Sequence, residues 1–176
     1  MRLLGAILAG GQSRRFGSDK AAALVDGKAL LDHVADALRP QCAALVIAGR
    51  EWQGITSVAD IPESGQGPLG GLAGALDYAQ RNGFGAVLSC GCDVLCLPEN
   101  LVEQLGAAPA IFDELPIVGL WPANLADTLS TWLANPANRS VYRFADDISA
   151  RRVTTLASII NVNRASDLAA VASPQP

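Results

Sequence analysis

Two hydrophobic rhythms alternate along this chain. Short runs read as strands at Leu3–Leu8, Ala44–Ala48, Thr56–Ala59 and Gly85–Ser89, the first and last of them apolar and buried. Ala110–Phe112 and Pro116–Trp121 read as two more strands, suited to pairing with each other, and Val153–Leu156 as an edge strand. Between the runs, apolar residues fall at helical spacing. Leu30, Leu31, Val34, Ala35 and Leu38 place a helix over Lys28–Arg39, which Pro40 ends. Further helices are expected over Leu69–Gln80, from Pro98 to about Leu105, and over Asn124–Leu133, Asn138–Phe144 and Ser166–Val171. In the first of these, Gly70, Gly71, Ala73, Gly74 and Ala75 leave room for close packing. Ile61–Gly71 is rich in glycine and proline and reads as a loop, and Ile159–Asn163 as a connector. Such alternation predicts a mostly parallel sheet covered on both faces. No repeat or linker interrupts it, so residues 1–172 are read as one domain and Ser173–Pro176 as a disordered tail.

In sheets of this kind ligands sit beyond the carboxyl ends of the strands. The first strand empties into Ala9-Gly10-Gly11-Gln12-Ser13-Arg14-Arg15-Phe16-Gly17-Ser18-Asp19-Lys20, the third ends at Asp60 and the fourth near Asp93. Their order predicts that all three features meet at one edge. A glycine-rich loop lets backbone N–H groups turn toward an anion, and Arg14, Arg15 and Lys20 add formal charge to the same space. That combination points to a nucleotide. The spacing fits neither a Walker A loop nor the dinucleotide fingerprint.

Composition sharpens this. Half of the 176 residues are hydrophobic and 17% charged, as in a globular domain. The net charge is −4, which argues against nucleic acid or an anionic membrane as a main partner and makes the cationic loop a local feature. No apolar stretch reaches the roughly twenty residues that span a bilayer, and Leu3–Leu8 is too short for a signal peptide. Cys42, Cys90, Cys92 and Cys96 lack zinc spacing and read as small apolar residues in a reducing cytoplasm. The single histidine, His33, leaves little material for a Ser-His-Asp or Cys-His site.

Asp93 follows an apolar strand, where a carboxylate is costly unless paired. It reads as a Mg²⁺ ligand bridging to phosphates, or as a helix cap or turn residue. Asp60 could contact a base or ribose, or simply terminate its strand. Gly65-Gln66-Gly67-Pro68-Leu69-Gly70-Gly71 opens a helix and could let a base or ribose lie against the backbone. Asn161-Val162-Asn163 puts two amides on one side of an extended segment, able to ligate metal, bind phosphate or cap a helix.

The loop Leu8 to Lys20 resembles the signature loop of MobA-type molybdenum cofactor guanylyltransferases. The same order of segments continues with Asp60 and Gly67–Leu72, Cys92-Asp93 with Leu97-Pro98, Pro116–Pro122, and Asn161–Asn163 with Asp167-Leu168. The resemblance implies a three-layer α/β/α, Rossmann-like nucleotidyltransferase fold, with GTP, Mg²⁺ and molybdopterin (the molybdenum cofactor) as ligands. It would place Leu8, Ala9, Gly10, Gly11, Lys20, Asp60, Gly67 and Pro68 on the nucleotide. Asp93 would sit on the metal, and Asn161 and Asn163 on the pterin side. Lys20, Arg14 and Asp93 would carry catalysis, and the reaction leaves room for cofactor-delivery or molybdoenzyme partners. The attacking phosphate oxygen is already anionic, so no general base is needed. The chain departs from the family pattern at Phe16 (commonly Met), at Leu95 (commonly Pro) and at Leu115 (often His). Transfer from CTP to molybdopterin, transfer from an NTP to a sugar phosphate, and nucleotide binding without catalysis stand as alternatives.

Overall fold

The N-terminal apolar run forms β1 (Leu3–Leu8), buried at all six positions. A small hairpin, β2 (Leu24–Val25) and β3 (Lys28–Ala29), leads into α1 (Leu30–Leu38). Then come β4 (Ala44–Ala48), β5 (Thr56–Val58), α2 (Pro68–Arg81), β6 (Ala86–Gly91), β7 (Val94–Leu95) and α3 (Leu101–Leu105). β8 (Ala110–Phe112), β9 (Gly119–Pro122), α4 (Ala126–Leu133), α5 (Val141–Asp147), β10 (Arg151–Val153) and β11 (Ile160–Asn161) complete the order. This computed structural model describes residues 1–10, 19–155, 158–162 and 167.

Seven strands form the main sheet in the order β10-β8-β9-β6-β1-β4-β5. All neighbours run parallel except β9, which is antiparallel to both β6 and β8. The link 113–118 between β8 and β9 is too brief for the crossover that a parallel pair requires, so the chain turns straight back. Alternate residues of β1 feed opposite faces. Leu4, Ala6 and Leu8 pack with α2, α4 and Phe144 of α5. Leu3 and Ile7 pack with α1 and α3. The result is the three-layer α/β/α arrangement, with the mostly parallel sheet covered on both sides. A third, small core joins Val25, Leu30, Leu95 and Val162, so Leu95, where the family pattern has proline, is a packing residue. No helix among the described residues is long and apolar enough to cross a membrane.

Several boundaries differ from the sequence reading. The helix expected from Lys28 begins at Leu30, because Asp26 and Gly27 both take positive φ (51° and 78°) and close the β2–β3 hairpin through Lys28. That is the backbone a two-residue hairpin loop demands, and an Asp-Gly pair supplies it readily. The strand expected over Pro116–Trp121 starts at Gly119 and pairs with β8 as anticipated. The edge strand lies at Arg151–Val153, slightly earlier than expected, and pairs with β8. The connector Ile159–Asn163 contributes a strand of its own, β11, antiparallel to β7. The tail 173–176 and all of the expected last helix except Asp167 lie outside the described residues.

Candidate active site at the carboxyl edge of the sheet

Register decides which residues meet. Leu8 of β1 is level with Ala48 of β4 and Gly91 of β6, and Ala48 is level with Val58 of β5. The four strands leave the sheet along one row. Two residues beyond that row stand Gly10, Arg50, Asp60 and Asp93. Pairing continues one step past the strands, with the Ala9 N–H donating to the Ala48 carbonyl (3.0 Å) and the Cys92 N–H to the Leu8 carbonyl (3.2 Å). The edge holds a cleft of about 730 Å³ lined by Ala9, Gly10, Gly49, Arg50, Asp60, Gly65 and Gly67, among others.

Glycine shapes the cleft by permitting backbone contact. A Cβ on Gly49 (φ +87°) would lie 2.3 Å from the Gly10 Cα. One on Gly74 would lie 2.0 Å from the Ala59 carbonyl oxygen, and one on Gly71 2.9 Å from the Ala48 Cβ. The small residues of α2 therefore let its N-terminal half press against the ends of β4 and β5. Gly67 (φ 70°, ψ −160°) turns the chain into α2, and Pro68 occupies the first turn, where no N–H is needed.

Asp60 is held by this turn, its Oδ2 accepting from the Gly65 N–H (3.3 Å). Its Oδ1 is buried and has no hydrogen-bond partner among the described residues. Both readings of Asp60 thus have a physical basis: one oxygen ends the strand and the other is left over. Gln66, 5% exposed, shows the same pattern. Its amide donates to Glu63 (2.9 Å), while its own Oε1 has no partner among the described residues.

Across the edge, Lys20 Nζ donates to Asp93 Oδ2 at 2.7 Å, with the Asp93 side chain 26% exposed. Asp93 caps no helix, since β7 follows it and the cap of α3 is Asn100. Its Oδ1 lies over Gly91, where a Cβ would approach it to 2.6 Å. Beside Lys20, Asp19 accepts from both Arg50 Nη atoms (2.7 and 2.8 Å). The hydrogen-bonded Arg50 guanidinium holds the Asp19 carboxyl below its usual range and is itself held more basic by it. Asp93 is also tied to the C-terminal segment. The Val162 N–H donates to its carbonyl (2.9 Å), and Asn161 is in register with Val94.

Of the residues singled out from sequence, the structure brings Leu8, Ala9, Gly10, Lys20, Asp60, Gly67, Pro68, Asp93 and Asn161 to this edge. Gly11, Arg14 and Asn163 lie outside the described residues. Gly49 and Arg50 went unremarked in the sequence, and Gln66 was read only as part of the segment Gly65–Gly71. A glycine and a cation directly after the run Ala44–Ala48 repeat the signature of the first loop, and could have flagged the first two. Three of the cysteines behave as packing residues: Cys90 is buried, and burial pushes the thiols of Cys42 and Cys92 up to about 12 and about 11, whereas Cys96, expected to pack with them, is exposed. His33 is structural too, its Nε2 bonded to the Val25 carbonyl (2.9 Å), which ties the hairpin to α1.

Residues 5–153 match the model of the MobA-like NTP transferase domain. The chain is 34% identical to the molybdenum cofactor guanylyltransferase of Acidiphilium cryptum, over 92% of this chain and 90% of that one. It is also 34% identical to that of Cereibacter sphaeroides, over 96% and 95%. In fold it is similar to the crystal structure of molybdopterin-guanine dinucleotide biosynthesis protein A from Archaeoglobus fulgidus, with a TM-score of 0.68, 19% identity and 95% of each chain covered. With the glycine-lined edge and its Lys20–Asp93 pair, these likenesses show that the chain belongs to the MobA-like NTP transferase domain family and is a nucleotidyltransferase.

Proposed function

We propose that the protein transfers GMP from GTP to molybdopterin, releasing pyrophosphate and leaving the guanine dinucleotide form of the molybdenum cofactor. The observation that carries this reading is the row Gly10, Arg50, Asp60 and Asp93, set at one edge by parallel register. In this reading Asp60 would contact the base, and Asp93 with Lys20 would handle phosphates, on either side of the backbone-lined floor. Gly10, with Leu8, Ala9, Gly11, Gly67 and Pro68, would cradle the nucleotide. The orphaned Oδ1 of Asp60 needs a donor. Guanine offers two together, N1–H and the 2-amino group, whereas adenine and cytosine each present a ring-nitrogen acceptor beside their amino group. A carboxylate there selects guanine by leaving the wrong base unpaired.

In the transfer, a molybdopterin phosphate oxygen attacks the α-phosphorus of GTP, the α–β anhydride bond breaks, and pyrophosphate leaves with the electron pair. Lys20, with Arg14, would stabilise the charge that gathers on the leaving group. Asp93 fits Mg²⁺, because it is a single, partly exposed carboxylate with one oxygen facing an ammonium that phosphate can recruit, and Mg²⁺ takes only one or two protein carboxylates when phosphates supply the rest. The ion, when bound there, neutralises triphosphate charge. Asn161, brought beside Asp93 by the β7–β11 pairing, and Asn163 would meet the pterin side. The setting is the cytoplasm, where four unpaired thiols stay reduced.

The test is pyrophosphate release with Mg²⁺ and molybdenum-loaded molybdopterin, supplying GTP, CTP and ATP separately. Release from GTP alone supports the reading. Release from CTP would overturn the base assignment. GTP binding without release would overturn the pterin acceptor and make sugar phosphates the next substrates to try.

A further inference from the structure

We propose that Arg50 is a positioning residue for this transfer, holding Asp19 so that Lys20 is presented to the triphosphate. The inference rests on the reading of Lys20 as a phosphate-binding cation. Gly10 and Asp19 bracket the glycine-rich segment, and two consecutive residues at the exit of β4 hold both. Gly49 lies against the Gly10 backbone so closely that no side chain fits between them. Arg50 grips Asp19 with both Nη atoms, at 2.7 and 2.8 Å.

The same Asp19 carboxylate orients Lys20. Its Oδ1 also accepts from the Ala21 N–H (3.2 Å), capping the 3-10 turn Lys20–Ala22. Arg50 is itself anchored from behind. Its guanidinium carbon is 5.9 Å from the centre of the Trp52 ring, and the Trp52 Nε1–H donates to Asp32 Oδ1 on α1 (2.7 Å). A connected path thus runs from α1 through Trp52, Arg50 and Asp19 to Lys20, whose Nζ stands 2.7 Å from Asp93. A planar fork fits this task, because two parallel bonds fix the direction of a carboxylate where an ammonium fixes only its distance. Arg50 also borders the cleft, so the competing role is direct contact with the nucleotide, and the two roles predict different couplings.

The experiment measures kcat and KM for pyrophosphate release, and Mg²⁺·GTP affinity by calorimetry. The variants are Arg50→Ala, Arg50→Lys, Asp19→Ala and Arg50→Ala/Asp19→Ala, with Arg50→Ala repeated in a Lys20→Ala chain, and circular dichroism melting monitors the fold. Misplacing a reacting group from a distance costs up to about 10²-fold. Arg50→Ala and Asp19→Ala should each lower kcat about 10- to 100-fold with KM changed less, and the double variant should lose no more than either alone. Arg50→Lys should recover only part, and in the Lys20→Ala chain Arg50→Ala should cost less than about twofold. Wild-type kcat in Asp19→Ala, or a further tenfold loss from Arg50→Ala without Lys20, would overturn the positioning role in favour of direct contact or none. If the wild type binds Mg²⁺·GTP yet releases no pyrophosphate, it is the acceptor assignment that fails. The same cycle read in GTP affinity then decides: shared, non-additive losses uphold the role, and additive or absent losses overturn it.

Discussion

Asp93 and Lys20 form the pair on which the proposed chemistry turns, and Asp93 is replaceable without disturbing the core, since its side chain is 26% exposed. Asp93→Asn keeps the shape and removes the charge. It should lower kcat about 10²- to 10³-fold with little change in melting temperature, checked by pyrophosphate release and calorimetry on the same sample. The cysteines make a separate prediction. Burial raises Cys42 from 9.0 to about 12 and Cys92 to about 11. In the unfolded chain these thiols ionise near pH 9, while in the folded protein they stay protonated. The unfolded state therefore binds fewer protons above pH 9, and stability falls from there toward pH 11 to 12, by up to about 1.4 kcal/mol per pH unit for each thiol. Below pH 9 the contribution is intact. Urea unfolding at pH 8 and pH 10 should show the decline, and Cys42→Ala should make it shallower.

β9 is the one strand of the main sheet that runs against its neighbours, and a buried bond ties it to β6. The Trp121 Nε1–H donates to Ser89 Oγ (2.8 Å), and Ser89 Oγ donates to the Ile117 carbonyl (2.7 Å). Ser89→Ala leaves a fully buried indole N–H without an acceptor, which should cost about 1–3 kcal/mol. The urea midpoint should fall with an unchanged slope. At this scale the sequence was readable wherever an element carried its own periodicity, as β1, β4, β6 and α2 do. It was less readable where an element exists by pairing alone. β7 and β11 are two residues each and are strands only because each found the other. The β2–β3 hairpin was legible in Asp26-Gly27, but the apolar spacing of the adjoining helix masked it.

For the molecule as a whole, nucleotide binding should register as stability. A ligand that binds only the folded state at a hundred times its dissociation constant adds about 2.7 kcal/mol. Mg²⁺·GTP at such a concentration should raise the melting temperature by several degrees. Chelating the metal should reverse most of the shift, and the same concentration of ATP should produce little of it, as calorimetric scans with each nucleotide will show. The candidate site exists only at this scale. Lys20 meets Asp93 across 73 positions of sequence and Arg50 meets Asp19 across 31. Gly10, Asp60 and Asp93 were visible in advance because each sits just past a strand legible in the sequence, where a sheet of parallel strands delivers its loops.

The sequence by itself determined the alternation of strand and helix, the covering of the sheet on both faces, and the residues that stand at the strand ends. Those features follow from periodicity and from glycine and proline, which act on the chain locally. Only the tertiary structure decided that β9 enters the sheet in reverse, that Arg50 closes on Asp19, and that Val162 returns to bond the Asp93 carbonyl. These depend on register between distant strands, and register is chosen by the packing of the whole sheet rather than by any segment of it.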